Sequence, residues 1–305
     1  MLSIQAKPGA QDLITDIEGI KVGQADNERI NTGVTVILPD APVAMGVDVR
    51  GGGPGTRDTE ALDPSCLVEK VHGLVLSGGS VFGLAASDGV VGYLSEQGIG
   101  LPLGPRTVPV VPSAILFDLR NGGDKNWGQV SPYADLGVKA VQNARNTMQL
   151  GRAGAGFGAT AGAQNGGIGS ASLVTESGIK VAAIVAVNSF GPVTHEVGGE
   201  QVQHGVVNMP KLGLIGSNTT IGAVVTNLDL DKGGCKRLAM MAQDGFARAI
   251  RPIHTPFDGD TMFAMSTGEK SLDEPLAATL AYVGTLAADC VVRAIEKAIH
   301  LANAT

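Results

Sequence analysis

Apolar residues recur along this chain in two rhythms, one suited to strands and one to helices. Short β-branched runs bounded by glycine dominate the first half, and Thr35–Leu38, Met45–Val49 and Leu74–Leu76 read as strands. Ser80–Gln97 reads as a helix with Val81, Leu84, Ala85, Val91 and Leu94 on its apolar side. A second helix is predicted over Ser131–Met148, with Ser131 as N-cap and Pro132 in the first helical position. Ser170–Val174 and Lys180–Asn188 form a predicted hairpin around Glu176–Gly178. Thr219–Thr226, a run of β-branched and small residues, reads as a buried strand. Gly234–Ile250 carries Leu238, Met241, Ala242 and Ala249 at helical spacing. Thr261–Ser266 is a further strand, and Pro275–Ala302 is a helix apolar almost all round, hence largely buried. There is no long linker, charge block or internal repeat. The pattern predicts an α/β sandwich in one compact unit over residues 1–305.

Composition sharpens this picture. Of 305 residues 44 are glycine, about double the usual share, and only 17% are charged. With 44% hydrophobic residues the chain can bury a large core, and disorder is excluded. So little charge leaves part of the surface expected to be covered by other subunits, which predicts a homo-oligomer. The net charge of −7 and the lack of any Lys/Arg run argue against a nucleic-acid partner. Cys66, Cys235 and Cys290 are far apart, so neither a disulfide framework nor a structural zinc site is expected, and a reducing cytoplasm is the simpler setting. The N-terminus has no apolar signal-peptide core, and runs such as Val181–Val187 are far short of the roughly 18 residues of a membrane span.

Two glycine-rich stretches invite a nucleotide reading. Arg50–Asp58 lacks the Lys-Ser/Thr pair of a phosphate-binding loop. In Gly151–Gly162, Gly156, Gly158 and Ala161 fit a dinucleotide fingerprint, with Glu176 twenty residues on. No apolar strand precedes that stretch and a poor helix start follows it, so tight turns and close backbone contacts are the better reading. No cofactor and no metal are expected.

Six segments in order carry a resemblance: VRGGGPGTRDTEAL at Val49–Leu62, LSGGSVFGLAASDG at Leu76–Gly89, VPSAILFDL at Val111–Leu119, GAGFGATAG, GSNTTIGAVVTN at Gly216–Asn227, and AQDGFARAIRPIHTPFDGDTMFAMSTG at Ala242–Gly268. Together they resemble the self-cleaving N-terminal nucleophile peptidases, the family of L-aminopeptidase/D-Ala-esterase/amidase and the β-peptidyl aminopeptidases, and look most like its nylon-oligomer (6-aminohexanoate oligomer) hydrolase branch. The resemblance implies an αββα four-layer sandwich, related to the ornithine acetyltransferase-like fold. It also implies autocleavage into residues 1–218 and 219–305, and a peptide or oligoamide substrate.

The same resemblance assigns the chemistry. By residue type alone Thr219 is a strand threonine. In the family it becomes the nucleophile once the bond after Asn218 is cut, because its freed α-amine, with a pKa of about 7.7–8.0, serves as base. Thr220 points to the opposite face. Asp258 and Asp260 flank Gly259, and positions i and i+2 of an extended segment share a side, so both can serve the Thr219 amine and hydroxyl. Asp-Gly is also common turn chemistry. Asn188, polar after seven apolar positions, needs a partner; in the family it donates to the oxyanion, while an Asx-turn is the plain alternative. Gly78, Gly79 and Ser80 lie between a strand and a helix start, where free N–H groups gather, and are expected to line the same pocket, with Ser80 as a helix cap the other reading. His254 reads as a packing or surface residue. Two departures stand out. Ile115-Leu116-Phe117 lacks the acid and tyrosine that grip a substrate amine in aminopeptidase relatives, which favours an internal amidase. Asn165 stands where relatives often carry a lysine, which predicts slower self-cleavage. An acyltransferase of the ornithine acetyltransferase type, or a non-catalytic protein keeping the fold, are the alternatives.

Overall fold

The computed structural model describes residues 4–194, 218–272 and 275–304. Gly216 and Ser217 of the GSNTT segment lie outside them. Four short strands open the chain: β1 (Ala6–Pro8), β2 (Ile20–Asn27), β3 (Thr32–Pro39) and β4 (Ala44–Val49). Then follow β5 (Thr56–Arg57), β6 (Leu74–Ser77), helix α1 (Ala85–Glu96), β7 (Ser113–Ile115) and α2 (Tyr133–Gln142). A small ribbon of β8 (Thr160–Ala161) and β9 (Gln164–Asn165) precedes the hairpin of β10 (Gly167–Thr175) and β11 (Lys180–Asn188). The C-terminal part supplies β12 (Thr219–Leu228), α3 (Lys232–Ala249), β13 (Thr261–Lys270) and α4 (Leu276–Asn303).

The strands form a six-stranded sheet ordered β1-β10-β11-β12-β13-β4 and a five-stranded sheet ordered β2-β3-β6-β7-β5. Period-2 burial decides how they stack. In β12, Ile221, Ala223 and Val225 join Ile20, Val22, Ile37, Leu74 and Leu76 of the other sheet in one buried cluster. Val224 and Leu228, on the other face, pack with Leu238, Phe246, Val291 and Ile295 of α3 and α4. The far side of the smaller sheet buries Val34, Val36 and Val75 against Val90, Leu94 and Leu136 of α1 and α2. Helices, sheet, sheet, helices: the αββα sandwich is borne out. The layers sit close because glycines face the helices. A Cβ on Gly169 of β10 would lie 1.8 Å from the Ala294 carbonyl oxygen of α4.

Several boundaries differ from the periodicity. The helix after β6 begins as a 3₁₀ turn over Ser80–Leu84, which leaves Val81 64% exposed rather than on the apolar side. α2 ends at Gln142, not Met148, because Arg145 pairs with Val22 at the edge of β2, and Pro132, not Ser131, takes the N-cap position. α3 starts earlier, where the Asp231 carboxylate accepts from the Gly234 N–H at 2.7 Å. α4 is long and apolar enough to cross a membrane by length and composition alone, but, as its all-round apolar pattern predicts, it is largely buried. Its buried residues, from Leu280 to Ala302, lie instead against the six-stranded sheet and α3.

Candidate active site

Thr219 opens β12 at the centre of the larger sheet, with one neighbour strand on each side. On one side Asn188, the last residue of β11, stands directly opposite it. On the other, the lead-in to β13 runs alongside, and Asn218 makes a parallel bridge with Asp258. Thr219 has the parity of Ile221 and Ala223, so its side chain faces the second sheet, whereas Thr220 faces the helix layer with Val224. Thr219 is buried.

The bond before Thr219 is closely held. The Thr219 hydroxyl donates to the Asn218 carbonyl oxygen at 2.5 Å, and the Gly259 N–H donates to the same oxygen at 3.2 Å. Gly259 has no room for a side chain: a Cβ there would meet the Gly53 carbonyl oxygen at 2.7 Å and Thr219 Oγ1 at 2.8 Å. Gly53 belongs to the Arg50–Asp58 loop, whose backbone grips this segment. Arg50 N–H donates to the Asp260 carbonyl at 3.0 Å, Gly52 N–H to that of Thr255 at 3.2 Å and Gly53 N–H to that of Asp258 at 2.8 Å. That loop braces the Asp-Gly-Asp triplet.

Both carboxylates are fully buried. Asp260 Oδ1 accepts from the Thr220 N–H at 2.7 Å, and its Oδ2 accepts from the His254 N–H and lies 3.0 Å from His254 Nδ1. Asp258 accepts from the Thr255 N–H at 2.9 Å and the Thr255 hydroxyl at 2.6 Å, and more distantly from the Phe190 N–H. The two are thus anchored on different groups rather than on one point. Burial, and then the charge of Asp260, push the Asp258 carboxyl above its ordinary range, against the pull of the Thr255 hydrogen bonds. Asn188 spans the other wall. Its amide donates to the Phe117 carbonyl at 3.0 Å and its oxygen accepts from the Thr160 N–H at 2.9 Å.

Two expectations need correction. The N–H groups of Gly78, Gly79 and Ser80 are not free. They donate to Gly33 O at 3.0 Å, Asp118 Oδ1 at 2.8 Å and Leu116 O at 2.9 Å, and Ser80 caps no helix because Gly79 takes the N-cap position. His254 is neither a surface residue nor mere packing, since its ring meets Asp260. Asn165 is exposed on β9, where it pairs with Thr160 and bonds to Ala302 and Asn303 at the end of α4; Thr160 in turn donates its N–H to Asn188. Phe117 contributes its carbonyl, while Arg120 lies over its ring at 5.9 Å.

Sequence reasoning also missed Asp118, an acid in the apolar run ILFDL. It is buried, accepts from the Thr32 hydroxyl and from the Gly79 N–H, and burial raises its pKa. One residue from the Phe117 carbonyl, it fixes the turn after β6 to the wall that holds Asn188. A lone charge in an apolar run is the signal that could have found it.

Comparison with known proteins now has a site to bear on. The profile of peptidase family S58 matches residues 12–305. An uncharacterized aminopeptidase of Mycobacterium tuberculosis is 38% identical over 321 residues, covering 92% of this chain and 92% of the relative. A 6-aminohexanoate-oligomer endohydrolase of Kocuria sp. is 31% identical over 288 residues, covering 87% of this chain and 77% of the relative. The solved L-aminopeptidase D-Ala-esterase/amidase of Ochrobactrum anthropi, described as a variant of the Ntn hydrolase fold, superposes with a TM-score of 0.72 at 21% identity, covering 97% of this chain and 88% of that one, and so shares the fold. The chain belongs to peptidase family S58 and is a hydrolase of amide bonds.

Proposed function

We propose that this hydrolase makes itself active by cutting its own chain between Asn218 and Thr219, and that the new N-terminal threonine then cleaves the amide bonds of short peptides or oligoamides. One observation carries the reading: the Thr219 hydroxyl and the Gly259 N–H meet at the Asn218 carbonyl. In the self-cut, Oγ1 attacks the Asn218 carbonyl carbon, and the Gly259 N–H supports the negative charge that grows on its oxygen. The acyl group moves from nitrogen to oxygen, and water hydrolyses the ester. The products are an Asn218 carboxylate, the restored hydroxyl and a free Thr219 amine.

In turnover that amine takes the hydroxyl proton while Oγ1 attacks the substrate amide, and gives a proton to the leaving amine. Water then releases the acyl group. Asn188 faces Thr219 and serves the oxyanion, and Asp258 and Asp260 supply negative charge beside the amine when it is protonated. The 6-aminohexanoate-oligomer hydrolase among the relatives, and the apolar Ile115-Leu116-Phe117 stretch, favour an oligoamide cut internally. The two fragments stay together as a heterodimer, and heterodimers associate into a cytoplasmic homo-oligomer.

The test is direct. Purified protein is followed by denaturing gel and mass spectrometry, then assayed on short peptide amides, β-peptides and 6-aminohexanoate oligomers. A new N-terminus at Thr219 and hydrolysis of at least one class are expected, and product analysis separates hydrolysis from acyl transfer. Full activity from an uncut chain would sink the reading.

A further inference from the structure

His254 lies six residues before Asp260, yet both its backbone N–H and its ring nitrogen Nδ1 reach the same carboxylate oxygen, each at 3.0 Å. The backbone makes this possible by an uncommon route. His254 has φ +56°, in the left-handed region that a bulky side chain seldom adopts. Such a conformation persists only where its surroundings hold it. Here the holding groups are the site's own: Asp260 on one side, and on the other the Thr255–Asp258 turn, in which the Thr255 N–H and hydroxyl bind the Asp258 carboxylate.

Three donors converge on Asp260: the Thr220 N–H, the His254 N–H and the ring. A carboxylate oxygen facing a ring nitrogen at that distance requires Nδ1 to carry the hydrogen. Nε2 is buried and has no hydrogen-bond partner among the described residues. The ring is 18% exposed and its other neighbour is the Phe246 ring of α3, with centroids 6.3 Å apart.

We propose that His254 is a positioning residue of this active site. Its Nδ1–H fixes the rotamer of Asp260, and Asp260 in turn fixes the Thr220 N–H and with it the opening backbone of β12 that aims Thr219. The inference rests on Thr219 being the nucleophile. It separates two jobs that Asp260 could do, holding the strand end and meeting the amine, and gives the first to a chain of contacts that starts at His254.

The left-handed backbone supplies a clean comparison. Asn and Gly both tolerate φ above zero. Asn places an amide N–H near the position of Nδ1, whereas Gly offers no donor. We therefore compare His254→Asn, His254→Gly and Thr219→Ala with the parent, measuring the rate of self-cleavage, and kcat and KM per cleaved chain on the best substrate of the panel above, with thermal melts as a folding control. His254→Asn should stay within about three-fold of the parent in kcat. His254→Gly should lose about ten-fold or more in kcat and in the self-cut, the scale of a hydrogen bond to a charged group, with KM little changed. If the Gly variant does not fold, His254→Phe, which keeps the contact with Phe246 but has no donor, must show the same loss. Parent-like kcat in the donor-free variant overturns the proposal, and so does a loss in His254→Asn as deep as in His254→Gly. Turnover by Thr219→Ala would fell the nucleophile reading itself and this inference with it; an inactive Thr219→Ala beside a parent-like His254→Gly would fell this inference alone.

Discussion

Asn188 stands directly opposite Thr219 in the register of β11 and β12. Cross-strand neighbours share a face with Cβ atoms roughly 5 Å apart, so the pairing itself puts a side-chain amide beside the nucleophile. The amide is held from behind by the Phe117 carbonyl and the Thr160 N–H. Asn188→Ala should therefore do two things at once. It strands buried backbone groups and should lower stability by about 1–3 kcal/mol. It also removes the donor proposed for the oxyanion and should lower kcat by about 10²–10³-fold. Chemical denaturation and steady-state kinetics on one preparation check both, and an unchanged kcat in a destabilised protein would confine Asn188 to a structural role.

Self-cleavage predicts two fragments of about 22 and 9 kDa from the 31.0 kDa chain. Thr219→Ala should leave a single uncut band and no turnover, since one hydroxyl serves both steps. Thr219→Ser should keep some of each. In the mature enzyme the rate should rise with pH through about 7.7–8.0 as the α-amine loses its proton. A pH-rate profile with no such limb would remove the amine as base.

Much of this site was legible because its parts are local. The run TTIGAVVT marks a central strand whatever surrounds it, and the apolar run Val181–Val187 ends on Asn188, the polar residue that the ladder then sets against Thr219. The resemblance supplied the layering and the nucleophile. What could not be read depends on contacts between distant segments or on backbone dihedrals. His254 looks isolated until φ +56° turns its ring back onto Asp260. The apolar period past Gln142 predicts more helix than forms, because Arg145 pairs with the edge of β2. The N–H groups at Gly78–Ser80 look available in sequence, but Gly33, Asp118 and Leu116 consume them.

Gly259→Ala tests the closeness of the site. A methyl group there would press within 2.7 Å of the Gly53 carbonyl and 2.8 Å of Thr219 Oγ1, distances at which something must move. The Gly259 N–H would move with it, away from the Asn218 carbonyl. Self-cleavage should slow by about 10²-fold or more, the scale for losing one oxyanion donor. A time course on a denaturing gel would show it, and a normal rate would mean that this N–H contributes nothing to the cut.

The cut chain should not fall apart. β12 lies between β11 and β13, and residues 219–305 also supply α3 and α4, whose buried faces complete the outer core. Across the cut, Asp12 accepts from Arg293 and Lys297 of α4. Native mass measurement should give both fragments together, in a multiple of one heterodimer, and separate fragments only in denaturant. Free small fragment under native conditions would contradict this.

Asp258 and Asp260 should differ in what their removal does to stability. The Asp258 carboxyl is raised above its ordinary value of 3.8, first by burial and then by the Asp260 charge. The folded state thus holds a proton that the unfolded chain has released, in a window that opens at 3.8 and extends upward to the raised value. Stability falls as pH rises through that window, and the full penalty remains above it. Asp258→Asn removes the charge, and its amide oxygen can still accept from the Thr255 N–H and hydroxyl. At pH 7 this variant should melt higher than the uncut parent, and the gap should close as pH falls toward 3.8. Both are best compared on the Thr219→Ala background, where no free amine adds its own charge. Asp260→Asn should gain nothing, because one face of the amide would set donors against the Thr220 N–H or the His254 donors that its carboxylate now accepts. In the active enzyme each change should slow turnover by about 10²–10⁴-fold, and the double variant should lose far less than the product of the two, since in the proposed mechanism both serve one amine. Melts across pH and the four-way kinetic comparison decide it: a lower melting temperature for Asp258→Asn at pH 7, or fully multiplicative kinetic losses, would mean that the two carboxylates are independent supports of a turn.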